Sequence, residues 1–179
     1  MKCQRLLGIA GLGLLLGGCA SLMMDAKEVD QASAGLSLKA GDQVAIGEPD
    51  VKAVAVSSDP ENAARVAKLL KEDLAQELAK KQILVSSKAE KQLTVRITGY
   101  EKGCGFCRGF FPLFGLGDSA VNGEADLAIG TRHRKIVLTK TGQSSGMAEM
   151  GDQTETNSDY FATVAVAHLT EAADDEKAD

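Results

Sequence analysis

Cys104 and Cys107, three residues apart, are the pair in this chain whose type and spacing could do chemistry. A CxxC spacing serves a local disulfide, a thiol-redox couple or half of a zinc site. The redox use needs the first Cys at a helix start, where the dipole lowers the thiol pKa, and Gly103, Gly105, Gly109 and Pro112 disfavour a helix here. A c-type haem needs His directly after the second Cys, and this chain has Arg108, so haem attachment is excluded. His133 and His168 would complete a Cys2His2 set, but two distant His match no compact finger. His168 is expected on the apolar face of a helix as a core residue, and His133 in a solvated turn. No metal ligand set is assigned.

The same segment carries four of the five Phe, interleaved with Gly. Phe106, Phe110, Phe111, Leu113, Phe114 and Leu116 either fold back over a sheet or stay exposed to meet a partner or a lipid surface. They form the expected partner or membrane contact loop. No GxxxxGK[ST] phosphate loop occurs, and Ser57-Ser58, Ser86-Ser87 and Ser144-Ser145 lack a nucleophile-elbow context. Glu124 and Asp126 read as a solvated strand face rather than a general acid/base pair. No catalytic residue is assigned, and the chain is expected to be no enzyme.

A composition of 44% hydrophobic and 25% charged residues over 179 fits one globular domain. The formal charge of −5 provides no basic field for phosphate backbones, so no nucleic-acid partner is expected. Lys2 and Arg5 precede a wholly apolar or Gly run, residues 6–18, that stops at Cys19. Thirteen residues in a helix reach about 20 Å, short of the roughly 30 Å hydrocarbon core, so the run reads as an export signal and not a membrane span. Leu16-Gly17-Gly18-Cys19 resembles the lipobox of bacterial lipoproteins. The resemblance implies cleavage before Cys19, a diacylglyceryl thioether on its sulfur and acylation of its new amino group. Ala20 in place of Asp implies sorting to the outer membrane, on its periplasmic face. With Cys3 removed and Cys19 acylated, Cys104 and Cys107 become the free thiols of an oxidising compartment, and a disulfide between them is expected. The covalent lipid at Cys19 is the one non-protein group expected, with no cofactor.

Residues 1–18 thus read as a signal peptide, 19–40 as an acylated N-terminus and flexible tether, 41–173 as a single periplasmic domain and 174–179 as an acidic tail. Within the domain, 43–46 and 52–56 are predicted strands separated by Gly47-Glu48-Pro49-Asp50. Ser58-Asp59-Pro60-Glu61 starts a helix over about 60–81, with Ala63, Val66, Ala67, Leu70, Leu74 and Leu78 on one face. Lys68, Lys71, Glu72, Gln76, Glu77 and Lys80 take the other. Strands follow at 83–85, 93–100, 121–129 and 136–139, the last two joined by a hairpin over 130–134. Asn157 or Ser158 caps a final helix, about 158–173, in which Phe161, Val164, Ala165, His168 and Leu169 share a face. The expected fold is α/β or α+β, a mixed sheet of about 5–6 strands packed against two helices.

The order of these elements, with ARVAKLLKEDLAQEL on the helix, KQLTVRITGY and VNGEADLAI on strands and an Arg-containing Gly-rich apolar segment between the strands, resembles a group of small bacterial envelope lipoproteins. These are distantly related to the curli-secretion channel lipoprotein and to the N-terminal domain of the Tol–Pal propeller protein. The resemblance spans roughly residues 43–140 and implies an accessory or assembly role, with an envelope protein partner or self-association. A pore would need a long amphipathic hairpin pair, and the sequence has none that is evident. The contrasting expectation from another class is a periplasmic thiol-redox or metal-binding protein centred on Cys104 and Cys107.

Overall fold

The computed structural model describes residues 23–29, 36–57, 60–101, 120–141 and 154–170. In chain order these form β1 (Met23–Glu28), β2 (Gln43–Ile46), α1 (Lys52–Ser57), α2 (Pro60–Lys80), β3 (Leu84–Val85), β4 (Lys91–Glu101), β5 (Ala120–Ile129), β6 (Arg132–Thr141) and α3 (Thr154–Thr170). The six strands make one mixed sheet in the order β1-β6-β5-β4-β2-β3. β2 runs parallel to both β3 and β4, while β4, β5, β6 and β1 pair antiparallel in turn. The fold is α+β, one of the two classes expected from the order of strand and helix patterns, with three helices rather than two.

Alternation along the strands decides which face is covered. Leu93, Val95 and Ile97 on β4, Val121, Ala125 and Leu127 on β5, and Ile136 and Leu138 on β6 are buried, while Thr94, Arg96 and Thr98 between them face solvent. Onto the buried face α2 lays Ala63, Val66, Ala67, Leu70, Leu74 and Leu78, every position of its predicted stripe. α3 adds Phe161, Ala162, Ala165, Val166 and Leu169. Its approach is close at Gly123, where a Cβ would stand 2.6 Å from the Arg96 carbonyl oxygen and 2.9 Å from Phe161 Cε2. Glycine at that position is what lets the aromatic ring lie on the strand.

Several elements differ from the sequence expectations. Residues 52–56 are helical, not extended. The Asp50 carboxylate accepts from the Lys52 amide at 3.3 Å, and the Val51 carbonyl accepts from Val54 and Ala55, which closes a turn where the short apolar run suggested a strand. Asp50 takes over the sheet pairing, donating its amide to the Val95 carbonyl at 2.9 Å and accepting from Ile97 at 2.8 Å. The β5–β6 hairpin is tighter than predicted, turning on Gly130-Thr131 with Gly130 at φ 59°. The last helix begins at Thr154, so Asn157 and Ser158 lie inside its first turns and are buried instead of capping it. Residues 58–59, the expected cap of α2, and 171–173, the expected end of the last helix, lie outside the described residues.

Residues 23–29 and 36–40, expected in a flexible tether, are part of the folded domain. Met23–Glu28 is an edge strand paired with β6, and Leu36 and Leu38 are buried in the core. What fixes this stretch to the domain is Arg134. Its side chain is 4% exposed, with Nε and Nη2 each 3.3 Å from the two carboxylate oxygens of Glu28 and Nη1 donating to the Leu36 carbonyl at 3.3 Å. One guanidinium fork on β6 therefore holds both β1 and the segment after it.

Candidate functional site

Strand register determines where the connections leave the sheet. Glu101 pairs with Ala120 and Tyr100 with Val121, so the last residues of β4 and the first of β5 share one end. Gly123 pairs with Leu138 and Met23 with Thr141, which brings the end of β6 and the start of β1 to that same end. The Gly130-Thr131 turn, Lys91 and β3 mark the other end, about 30 Å away along the ten residues of β5.

At the first end lies an open groove of about 480 Å³ between α1 and the β4–β5 pair, lined by Lys52, Ala53, Val56, Thr98, Gly99, Tyr100, Glu101 and Asn122. A register irregularity in β4 between Ile97 and Gly99 bends the strand here. Gly99 has no side chain to fill the gap, and a Cβ on it would press to 3.3 Å from the Asn122 amide nitrogen. Tyr100 turns into the core, where its hydroxyl accepts from Asn62 at 3.4 Å. Val56 stands 89% exposed on the groove's rim. The groove offers apolar surface with one ammonium and one carboxylate, Lys52 and Glu101, at its edges.

A smaller groove of about 250 Å³ at the opposite end, lined by Asp42, Gln43, Lys88, Ala89, Glu90, Lys91 and Ile129, is bridged by an ion pair of 2.5 Å between Lys91 and Asp42. Burial pushes the Asp42 carboxyl up, but hydrogen bonds from Lys91 and from the Lys39 amide outweigh it and hold the group below its usual range. An Asp so stabilised as the anion is a poor proton carrier near neutrality.

On the open sheet face the acidic side chains lie beside hydrogen-bonding or oppositely charged partners. Lys135 reaches Glu124 at 3.0 Å, His133 lies 3.3 Å from Asp126 and Arg96 lies 3.3 Å from Asp50. Glu124 and Asp126 are thus a solvated face, as their alternation predicts. His133 is not in the turn but on β6, held against Asp126. His168 is half-buried on α3. Glu77, predicted on the polar side of α2, is buried and paired with Lys80. Across the α2–α3 contact, Asp73 is pushed above its usual range, first by burial and then by Asp159, Glu72 and Glu77, against a lowering contact from Ser158. Among the described residues no group of three or more His, Cys, Asp or Glu converges as a metal site, and no helix is long and apolar enough to cross a membrane.

Cys19, the Cys104–Cys107 pair and the contact loop Phe106, Phe110, Phe111, Leu113, Phe114 and Leu116 all lie outside the described residues. The structure places their points of attachment, since residues 102–119 leave from Glu101 and return at Ala120 beside the groove. The groove itself was not foreseen, because residues 52–56 read as a strand. Its sequence signal is Gly99 interrupting the alternation of β4.

No family model matches the chain, and no curated protein matches it. Solved structures do. A dodecamer of a PelC variant from Paraburkholderia phytofirmans superposes with a TM-score of 0.50 at 12% identity, covering 83% of this chain and 98% of the other. A second PelC dodecamer from the same organism gives 0.50 at 11%, covering 82% and 99%. A Xanthomonas campestris protein of the family model DUF330 gives 0.44 at 12%, covering 69% and 81%. At this identity the likeness to PelC is one of fold, and it extends over nearly the whole of the PelC chain.

Proposed function

We propose that this chain is an envelope lipoprotein, carried by acyl chains on Cys19 at the periplasmic face of the outer membrane. It acts without catalysis, as an assembly module that binds a protein partner or further copies of itself. The observation that carries the reading is the junction of anchor and fold: the Leu16-Gly17-Gly18-Cys19 signature runs within four residues into an edge strand of the domain. The chain shares its fold with PelC, whose solved structures are dodecamers, and this supports self-association as the form of assembly. Two acyl chains or more hold a protein firmly, where one holds it only reversibly.

The test is expression with the natural leader, followed by membrane fractionation and intact mass. The wild type is expected in the outer-membrane fraction with diacylglyceryl and acyl mass on Cys19, and Cys19→Ala in an uncleaved or soluble form. Mature protein with an unmodified Cys19 would sink the anchor reading. Native mass spectrometry of the detergent-extracted protein reads the second half, where a ring or other closed multimer is expected and a strict monomer counts against self-assembly.

A further inference from the structure

The end of the sheet that receives the chain from Cys19 also carries the groove. β1 opens at Met23, and four residues of fully extended chain span at most about 14 Å. That is half the length of the sheet or less, so the start of β1 cannot swing far from a lipidated Cys19. Register places Thr141, Ala120 and Glu101 at this end with Met23, and α1 stands beside them. Val56, the most exposed of the large apolar side chains among the described residues, is here. Lys52 and Glu101 at the groove's edges give it the paired charges that match the phosphate and ammonium of a zwitterionic headgroup. Residues 102–119, which hold four of the five Phe, are joined to the sheet at this end on both sides.

We propose that the domain stands with this end against the bilayer, so that the occupant of the α1 groove is the lipid surface and the Gly130-Thr131 turn points away from it. The inference rests on the reading of Cys19 as the lipid-bearing residue and adds an orientation to it. The competing apolar spot, Leu84 and Val85 on β3, is 59% and 48% exposed and lies at the far end, where Leu84 pairs with Gln43. The two ends can therefore be told apart by one short-range probe.

The chain has no Trp, so Val56→Trp and Leu84→Trp each introduce a single indole at an exposed position. Each is made in the mature chain from Cys19 with Cys104→Ser and Cys107→Ser. The Cys19 thiol is then coupled to a maleimide phospholipid in phosphatidylethanolamine and phosphatidylglycerol vesicles containing headgroup-nitroxide lipid. Strong quenching of the indole at 56 is expected, with emission at 84 unchanged. Equal quenching, stronger quenching at 84, or quenching at neither overturns the orientation, and the last leaves this end to a protein partner. If Leu84→Trp melts below the parent, Thr131→Trp at the turn replaces it as the far-end probe. Because the lipid is attached chemically, a failure here is distinct from a failure of natural lipidation, which the intact mass of the membrane-extracted protein reads separately.

Discussion

At the scale of single residues, the fold is secured by groups whose roles depend on distant partners. Arg134 sits in RHRKIVLTK, where the sequence offers it as one more solvated charge of a hairpin, yet it is buried against Glu28, 106 positions earlier. No local pattern reports a pair so far apart, whereas the lipobox is legible because its four residues are contiguous. A Lys at 134 keeps the charge but loses the fork that takes both Glu28 oxygens and the Leu36 carbonyl. Arg134→Lys is expected to cost about 1.5–3 kcal/mol in denaturant unfolding, the range for hydrogen bonds to charged groups, and an unchanged midpoint would refute the clasp. Asp73 makes the opposite case, a carboxylate the fold tolerates poorly. Its raised pKa means the folded chain holds that proton more tightly than the unfolded one. Its contribution is then full below the unfolded value and lost as pH rises through the folded value. Asp73→Asn should therefore raise the melting temperature at pH 7 and narrow the gap to the parent in acid. A parent that melts lower than the variant by the same margin at pH 3, below the ordinary carboxyl value of 3.8, as at pH 7 would contradict this.

Among the elements, the sequence was most readable where period and length agree. The stripe of α2 recurs from Ala63 to Leu78 along a 21-residue helix and every member is buried, and β4 alternates from Gln92 to Thr98 and β5 from Val121 to Ala128. It misled at 52–56, where a short apolar run fits a short strand and a short helix equally and the Asp50 hydrogen bond decides the matter. It also left Gly123 unexplained, since a glycine in a strand signals close approach without saying what approaches. In the folded chain the answer is Phe161 and the Arg96 carbonyl. Gly123→Ala forces a methyl into backbone at 2.6 Å, and a loss of about 1–3 kcal/mol is expected from overpacking. A thermal melt equal to the parent's would show that α3 can retreat at no cost. Gln82, at φ 60° after α2, is the reverse case. The left-handed conformation costs a side chain about 1–2 kcal/mol, and Gly's extra unfolded entropy takes back about 0.5–1, so Gln82→Gly should stabilise by about 0.5–1 kcal/mol. A destabilised Gln82→Gly would mean that the Gln side chain contributes more than its backbone loses.

For the whole molecule, the decisive point is where the domain begins. A mix of Ser, Ala and charge over 20–40 reads as tether because β1 is held by pairing with β6, a partner distant in sequence, and Leu36 and Leu38 are too few to mark an element. The fold nevertheless closes through them. A chain starting at residue 41 would lose β1 from the sheet edge and two buried Leu, each worth about 1.5–3 kcal/mol in transfer free energy. It would also take away Glu28 and the Leu36 carbonyl, the acceptors that hold the Arg134 guanidinium, at about 1.5–3 kcal/mol for hydrogen bonds to a charged group. Together these approach the whole stability of a typical domain, about 5–15 kcal/mol. Residues 20–179 should therefore unfold cooperatively in a thermal melt followed by circular dichroism, while residues 41–179 should give a broad, low transition or none. If the shorter chain melted as the longer one does, 19–40 would be a tether after all. The anchor could then hold the domain at any angle to the membrane, since nothing stiff would link Cys19 to the sheet.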